Sequence, residues 1–431
     1  MTIPTDFHTA PSPERAGFLV FEDLESEVRL YCRKFPVVFE RAKGADLYAE
    51  DGRRFIDFFC GAGTLNYGHN NDVIKSQIIN YLAADGVMHG LDMYTTAKRR
   101  FLTRLADVVL KPRGLDYKVQ FCGPTGTDAV EAALKLARKV TGRSGIIAFT
   151  GAYHGMSRGA LAVTGSRRAR QAGGVSGQDV TFVPYADGPF GEFDSVSLIG
   201  RLLADPSSGV ALPAAVIVEP MQMEGGVYAA PPDWLRRLRA VTEQYGILLI
   251  CDEIQCGCGR TGTFFCFEQA GVMPDVVTVS KSIGGYGLPL SLVLFRRELD
   301  AWEAGEHTGT FRGNQLAFIA AATACDLWTQ QQFQDGLAAA IRRLEGFGQG
   351  IAVECPDVTV RGRGMALGID LGGPEGSGRA ERIQRHAFDN GVIVELCGRY
   401  DEVIKVLPPL TIDLTRLDAG LVVLRTALLT Y

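Results

Sequence analysis

Long apolar runs are missing from this sequence, and so is any surplus of positive charge. No uninterrupted hydrophobic stretch approaches the ~20 residues that a membrane-crossing helix needs, which argues against a spanning segment. Lys and Arg number 44 against 49 Asp and Glu, a formal net charge of −5. That balance argues against a general binder of nucleic acid or anionic membranes. The start, "MTIPTDFHTAPSPERAG", lacks the basic opening and apolar segment of a signal peptide, so the expectation is a cytoplasmic protein. No internal repeat, low-complexity tract or heptad pattern is evident, which excludes solenoid and coiled-coil designs. The 10 cysteines form no disulfide framework. They are scattered through apolar contexts such as "LLICDE" and "ATACDLW", where a free thiol behaves as a small hydrophobe.

What is present is ordinary globular composition over 431 residues, enough for a large core and two or three domains. Residues 1–20 read as an extended arm, and "FEDLESEVRLYCRKF" has helical spacing of apolar residues. "ADLYAEDGRRFIDFF" reads as a hairpin turning at Asp51–Gly52. From about residue 118, short apolar runs ("KVQFCG", "SGIIAFTG", "AAVIVEP", "GILLICDE", "VVTVSK") alternate with helices such as "DAVEAALKLARKVTG" and "PPDWLRRLRAVTEQYG". Continuous apolar strands between helices imply an α/β fold with a mostly parallel sheet covered on both faces. After Phe311 an Ala-rich helical stretch leads into a smaller α+β domain, in which "GGPEGSG" reads as a loop. The expected division is an arm and part of the small domain over 1–60, a large domain over 61–320 and the remaining small domain over 321–431.

In open α/β sheets chemistry gathers where strands deliver their C-terminal ends into loops. Four such ends are polar here. "CGPTGTDAVEAAL" offers Gly126, Thr127 and a helix N-terminus, which suits a phosphate or is simply a capped turn. No Lys-Ser/Thr follows its second glycine, so it is not a Walker loop. "TGAYHGMS" places Tyr153 and His154 where an aromatic could cover a flat ligand or pack on the sheet. "CDEIQCGCGRTG" carries Asp252 and Glu253 at the end of a buried-looking run. Cys256 and Cys258 lack the second Cys or His pair of a zinc site and His307 is distant in sequence, so no metal is expected. "VVTVSKSIGGYG" ends on Lys281, a salt-bridge partner or a Schiff-base amine. One ligand unites all four ends: pyridoxal 5′-phosphate. Its phosphate needs the helix N-terminus, its ring a flat cover, its aldehyde a lysine and its pyridinium a buried carboxylate. Asp252 is then the anchor of the ring nitrogen, and Glu253 serves local structure.

With these residues in order, the chain resembles a class III (ω-)aminotransferase of the fold-type I pyridoxal-phosphate superfamily. "CDEIQCGCGRTGTFFCFEQAGVMPDVVTVSKSIGGYGLP", "GPTGTDAVEAALKLAR", "YHG", "VEPMQMEGG" and "HTGTFRGN" carry the likeness, over roughly residues 20–415. The resemblance implies catalytic Lys281 and Asp252, with the cofactor also bound by Gly126, Thr127, Tyr153, His154 and Gln255. It implies that Thr310 reaches the phosphate of a neighbouring subunit, so that a homodimer (or a tetramer built from it) is the active form. Glu224 resembles a gate that lets one pocket take both an amine and a dicarboxylate, and Lys405 stands where related enzymes hold a carboxylate with arginine. Met156 also replaces such an arginine, Arg158 lies close by, and Cys60 and Cys122 stand where smaller residues are usual. The likeness is nearest to members acting on a short diamino acid, 2,4-diaminobutyrate, with 2-oxoglutarate as acceptor. The competing expectations are another ω-amine or basic amino acid transaminase, an aminomutase or decarboxylase on the same fold, and a non-catalytic binding protein.

Overall fold

The apolar runs without period-2 alternation become the strands of one seven-stranded sheet. In chain order these are β1 (Tyr117–Phe121), β2 (Ile146–Phe149), β3 (Val180–Val183), β4 (Ala215–Val218), β5 (Leu248–Asp252), β6 (Val276–Val279) and β7 (Leu292–Arg296). They lie in the spatial order β1-β7-β6-β5-β4-β2-β3, and β7 is antiparallel to both neighbours while the remaining pairs are parallel. The computed structural model describes residues 18–431 apart from residues 176, 178, 187, 189, 190 and 192.

Successive side chains of a strand face opposite sides, so both sheet faces are apolar. Ile217, Ile250 and Val276 join Ala129, Val130 and Ala133 of helix α1 (Gly126–Thr141) in one core. Val216, Leu249, Cys251 and Val277 join Trp234 and Leu238 of α2 (Pro232–Gln244) and the Ala-rich α3 (Gln315–Leu327) in another. Each fully buried Leu, Val or Ile contributes about 1.5–3 kcal/mol relative to exposure, so this double covering fixes the position of β4, β5 and β6. α3 runs without a break through residue 320.

Beyond α3, the helices α4 (Gln331–Glu354), α5 (Gly373–Asp389) and α6 (Leu414–Thr430) contribute to a separate core against an antiparallel sheet. That sheet contains β8 (Thr359–Arg363), β9 (Ala366–Asp370), β10 (Glu395–Cys397) and β11 (Val403–Val406), in the order β8-β9-β11-β10. The hairpin expected at Asp51–Gly52 forms between Asp46–Ala49 and Arg54–Asp57, and Val392–Ile393 pairs in parallel with the latter strand. Among the described residues no helix is long and apolar enough to cross a membrane.

Two local expectations are corrected. "GGPEGSG" is not a loop but the N-terminal part of α5. Gly372 turns the chain at φ 92°, and the proline that follows sits in the first turn, where its missing N–H costs nothing. "FEDLESEVRLYCRKF" is not one helix: it breaks into Leu19–Leu24 and Tyr31–Lys34, neither with a buried residue. Without a surface to pack on, a short helical pattern lacks the tertiary contacts that supply most helical stability. The extended arm expected over residues 1–20 lies outside the described residues up to residue 17, and Leu19 and Val20 belong to the first of these short helices.

Candidate active site

Sheet register brings the polar strand ends to one level. Cys251 pairs with Val218 and Asp252 with Thr278, so Glu219, Asp252 and the Ser280–Lys281 turn emerge side by side. Asp252 is buried and held from three directions. Its Oδ2 lies 2.7 Å from His154 Nδ1, and its Oδ1 accepts from Thr278 Oγ1 at 2.9 Å and from the Ile254 amide at 3.1 Å. Glu253 takes no part in this. It turns to accept the Cys266 and Phe267 amides at 2.8 and 2.9 Å, and burial pushes its carboxyl well above the usual range. That is the local structural service expected of it.

His154 is fully buried, and its Nε2 has no partner among the described residues. Burial works against its charged form, but the hydrogen bond and charge of Asp252 outweigh this and raise its pKa. Behind it, Glu219 accepts the Tyr153 amide at 2.9 Å and is pushed up to about 7 by burial. Tyr153 is 41% exposed and lines a cavity of about 650 Å³ together with Glu224, Glu395 and Tyr31.

Lys281 occupies the left-handed region at φ 51°, a strained placement for a long side chain that recurs at functional sites. Its Nζ donates to the Ala62 carbonyl at 2.9 Å. Burial, the largest influence, lowers its pKa and so favours the neutral, nucleophilic amine. Ala62 belongs to "CGAG", where Cys60, Gly61, Ala62 and Gly63 all have positive φ. The same carbonyl accepts from Gln255 Nε2 at 2.9 Å, and that amide also donates to Glu224 Oε1 at 3.0 Å.

At the start of α1, Asp128 reaches back to the Thr125 amide and hydroxyl, at 3.2 and 2.8 Å. The first-turn amides of Gly126 and Thr127 are among those a helix leaves without an internal acceptor. Thr127 Oγ1 meets Ser157 Oγ at 2.6 Å, and Ser157 in turn donates to Glu131 at 2.5 Å. Gly155 passes so close that a Cβ there would sit 2.4 Å from Thr127 Oγ1. Hydroxyls, helix-end amides, a buried acid on a histidine and a buried lysine with a lowered pKa fit the cofactor that the resemblance implies.

The remaining expected residues divide. Lys405 is fully buried, with its Nζ 2.6 Å from Glu224 Oε1 and 3.0 Å from Glu395 Oε2. Its ammonium is therefore already taken by two carboxylates. Thr310 and Met156 are exposed, as is Arg158, and Thr310 makes no contact with the other site residues of its own chain among the described hydrogen bonds. Cys60 and Cys122 are buried free thiols. Sequence reasoning missed Ala62, Thr278, Ser157, Glu219, Tyr31 and Glu395. Thr278 and Glu219 carried a usable signal, being polar residues in or just after apolar strands. Arg260 was also missed: fully buried, it donates to Asn66 Oδ1 and to the Met365 and Pro408 carbonyls, tying the "CGCGR" turn to distant segments.

Comparison with known proteins agrees with this chemistry. The family model described as Aminotransferase class-III matches residues 31–428. A protein of Halalkalibacterium halodurans named diaminobutyrate–2-oxoglutarate transaminase is 48% identical, over 95% of this chain and 96% of its own. One of the same name from Streptomyces anulatus is 52% identical, over 93% and 95%. Among solved structures, the ornithine aminotransferase of Toxoplasma gondii superposes with a TM-score of 0.84 at 24% identity, over 97% of this chain and 96% of that one, a likeness of fold. The chain belongs to the class III aminotransferases, with pyridoxal 5′-phosphate as its cofactor.

Proposed function

We propose that this enzyme transfers the terminal amino group of L-2,4-diaminobutyrate to 2-oxoglutarate, giving L-aspartate 4-semialdehyde and L-glutamate. The observation that carries the reading is half identity, along more than nine-tenths of the chain, to relatives bearing that name. The site geometry supports the reaction type. Bound there, pyridoxal phosphate supplies an electron-withdrawing ring that accepts the electron pair left when a substrate carbon loses its proton.

The chain's own residues do the rest. Asp252 keeps the ring nitrogen protonated, and His154 and Thr278 fix the carboxylate for that task. Gly126 and Thr127 hold the phosphate at the N-terminus of α1, and Tyr153 covers the ring. Gln255 would hydrogen-bond the ring hydroxyl. Lys281 Nζ, whose burial favours the neutral amine, would take the proton from the substrate carbon and return it. Glu224 is the gate: closed on Lys405 while the amine reacts, it yields when the second carboxylate of 2-oxoglutarate claims that ammonium.

The active form is a homodimer, with Thr310 serving the partner's phosphate. Beside Thr310, the exposed Phe311 meets His89 edge-on, and Met88, Met93 and Tyr94, close to His89 in sequence, are exposed apolar side chains that a second copy would cover. The test is product analysis by mass spectrometry with 2,4-diaminobutyrate, ornithine and alanine as donors. The expected product is aspartate 4-semialdehyde, with slower transfer from ornithine and little from alanine. One methylene in a fitted pocket is worth about 1–3 kcal/mol, roughly 10–200-fold. A 2-oxo-4-aminobutyrate product or a strong preference for ornithine overturns the reading.

A further inference from the structure

The carbonyl that receives the Lys281 amine sits in an unusual stretch of backbone. Cys60, Gly61, Ala62 and Gly63 form a left-handed turn, with φ of 57°, 56°, 54° and 83°. Its internal bonds run from the Thr64 amide to the Gly61 carbonyl and from the Leu65 amide to the Cys60 carbonyl, both at 3.1 Å. L residues enter this region singly and at a cost, because Cβ crowds the following carbonyl oxygen. Cys60 and Ala62 both carry a Cβ, so the run persists only where its surroundings over-determine it.

Those surroundings are specific. At the entrance, Asp57 Oδ1 accepts the Phe59 and Cys60 amides at 2.9 and 2.8 Å. Asp57 is 2% exposed, and its other oxygen, Oδ2, lies 2.8 Å from His69 Nε2. The main chain of His69 is bonded in both directions to Gly44, at 2.7 and 2.8 Å, which anchors this brace just before the hairpin strand Asp46–Ala49. At the exit, Ser282 Oγ donates to the Gly63 carbonyl at 2.6 Å and accepts the Asn66 amide at 3.2 Å. Ser282 follows Lys281 directly, so the exit of the turn is tied to the lysine's own segment and the entrance to Asp57.

Among the described residues, Ala62 is the one hydrogen-bond acceptor of Lys281 Nζ, at 2.9 Å. An amine on a four-carbon stem has many rotamers open to it, and a single fixed acceptor selects among them. If the turn relaxes toward the right-handed region, the Ala62 peptide plane rotates and its carbonyl leaves the lysine. We propose that Asp57, braced by His69, is a positioning residue for Lys281: it holds the left-handed turn whose Ala62 carbonyl fixes the amine for attack on the cofactor aldehyde. The inference rests on the reading of Lys281 as the Schiff-base amine. In that capture the Nζ lone pair attacks the aldehyde carbon, and both amine protons leave with the aldehyde oxygen as water.

The experiment mixes cofactor-free enzyme with pyridoxal 5′-phosphate and follows capture by absorbance. It then measures affinity for 4′-deoxypyridoxine 5′-phosphate, which has the same ring and phosphate but no aldehyde. A small misplacement of a reacting group is costly, so Asp57→Ala should slow capture by about ten- to a hundredfold. Its affinity for the deoxy compound should stay at the wild-type value. Asp57→Asn keeps an oxygen for both amides and should capture at close to the wild-type rate. His69→Ala removes one bond from the brace and should slow capture by about fivefold. An Asp57→Ala enzyme that captures as fast as wild type overturns the inference. So does an equal loss of affinity for the deoxy compound, which makes Asp57 a general support of the site, and so does an Asp57→Asn enzyme as slow as Asp57→Ala. If Asp57→Ala does not fold, His69→Ala decides by the same two readouts. Borohydride trapping of a lysine other than Lys281 removes the reading of Lys281 and this inference with it. Trapping on Lys281 at an undiminished rate in Asp57→Ala removes the inference alone.

Discussion

Asp252 is gripped by His154, Thr278 and its own following backbone, and that decides what its loss should cost. In Asp252→Asn the shape survives and the charge facing the ring nitrogen does not. Turnover should fall by about 10²-fold or more, the scale of removing one preorganised electrostatic partner, as read by steady-state kinetics on cofactor-saturated enzyme. Lys281→Ala should abolish transfer and leave borohydride reduction with nothing to trap, while circular dichroism shows a folded chain. Labelling of another lysine in the wild type would refute the assignment. Glu219 gives a pH prediction. Its carboxyl binds a proton more tightly folded (about 7) than unfolded (4.5). Its contribution is thus complete below pH 4.5 and lost as pH rises through about 7, and raised His154 acts in the same direction. Between those limits the cofactor-free wild type should lose about 3 kcal/mol relative to Glu219→Gln in denaturant titrations. A difference that stays constant with pH contradicts this.

At the scale of elements, the proposed phosphate cradle depends on two chain segments touching: the first turn of α1 and the turn after β2. Gly155 has φ 125°, and its missing Cβ leaves the space that Thr127 Oγ1 fills. Gly155→Ala must displace the Thr127–Ser157 pair or strain the turn. Overpacking of this kind costs about 1–3 kcal/mol, measurable as a lowered Tm. Cofactor release should also become faster in equilibrium dialysis. Elements further out show how far local pattern reaches. The strands and α1 and α2 were legible because their apolar runs and caps agree with their packing. The helix expected over "FEDLESEVRLYCRKF" failed because its apolar residues Leu24, Val28 and Leu30 stay exposed, and periodicity alone does not hold a helix.

For the whole molecule, the proposed exchange of Thr310 between subunits has a direct test. Thr310→Ala and Lys281→Ala chains, each inactive alone, should regain activity when mixed and allowed to exchange. One hybrid site then holds both native residues and its twin holds neither. No recovery despite demonstrated exchange would place Thr310 within its own chain's site. Met88, Met93, Tyr94 and Phe311 are exposed apolar side chains that the proposed partner would cover.

By itself the sequence pointed to the residues of the proposed cofactor site. Lys281 and Asp252 stand out because a cation and an anion at the ends of apolar strands are costly there unless they are used. Gly126 and Thr127 stand out because a glycine-rich turn runs straight into a helix. The tertiary structure alone decided what surrounds them. Ala62 acts through its carbonyl, which no side-chain pattern advertises, and 219 residues separate it from the lysine it accepts from. Glu395 reads in sequence as one polar residue in a short strand. Only the antiparallel register sets it opposite Lys405, and only the meeting of that strand with Glu224 leaves two carboxylates on one ammonium. Charge balance in a buried site is a sum over residues brought together by folding, and spacing along the chain does not contain it.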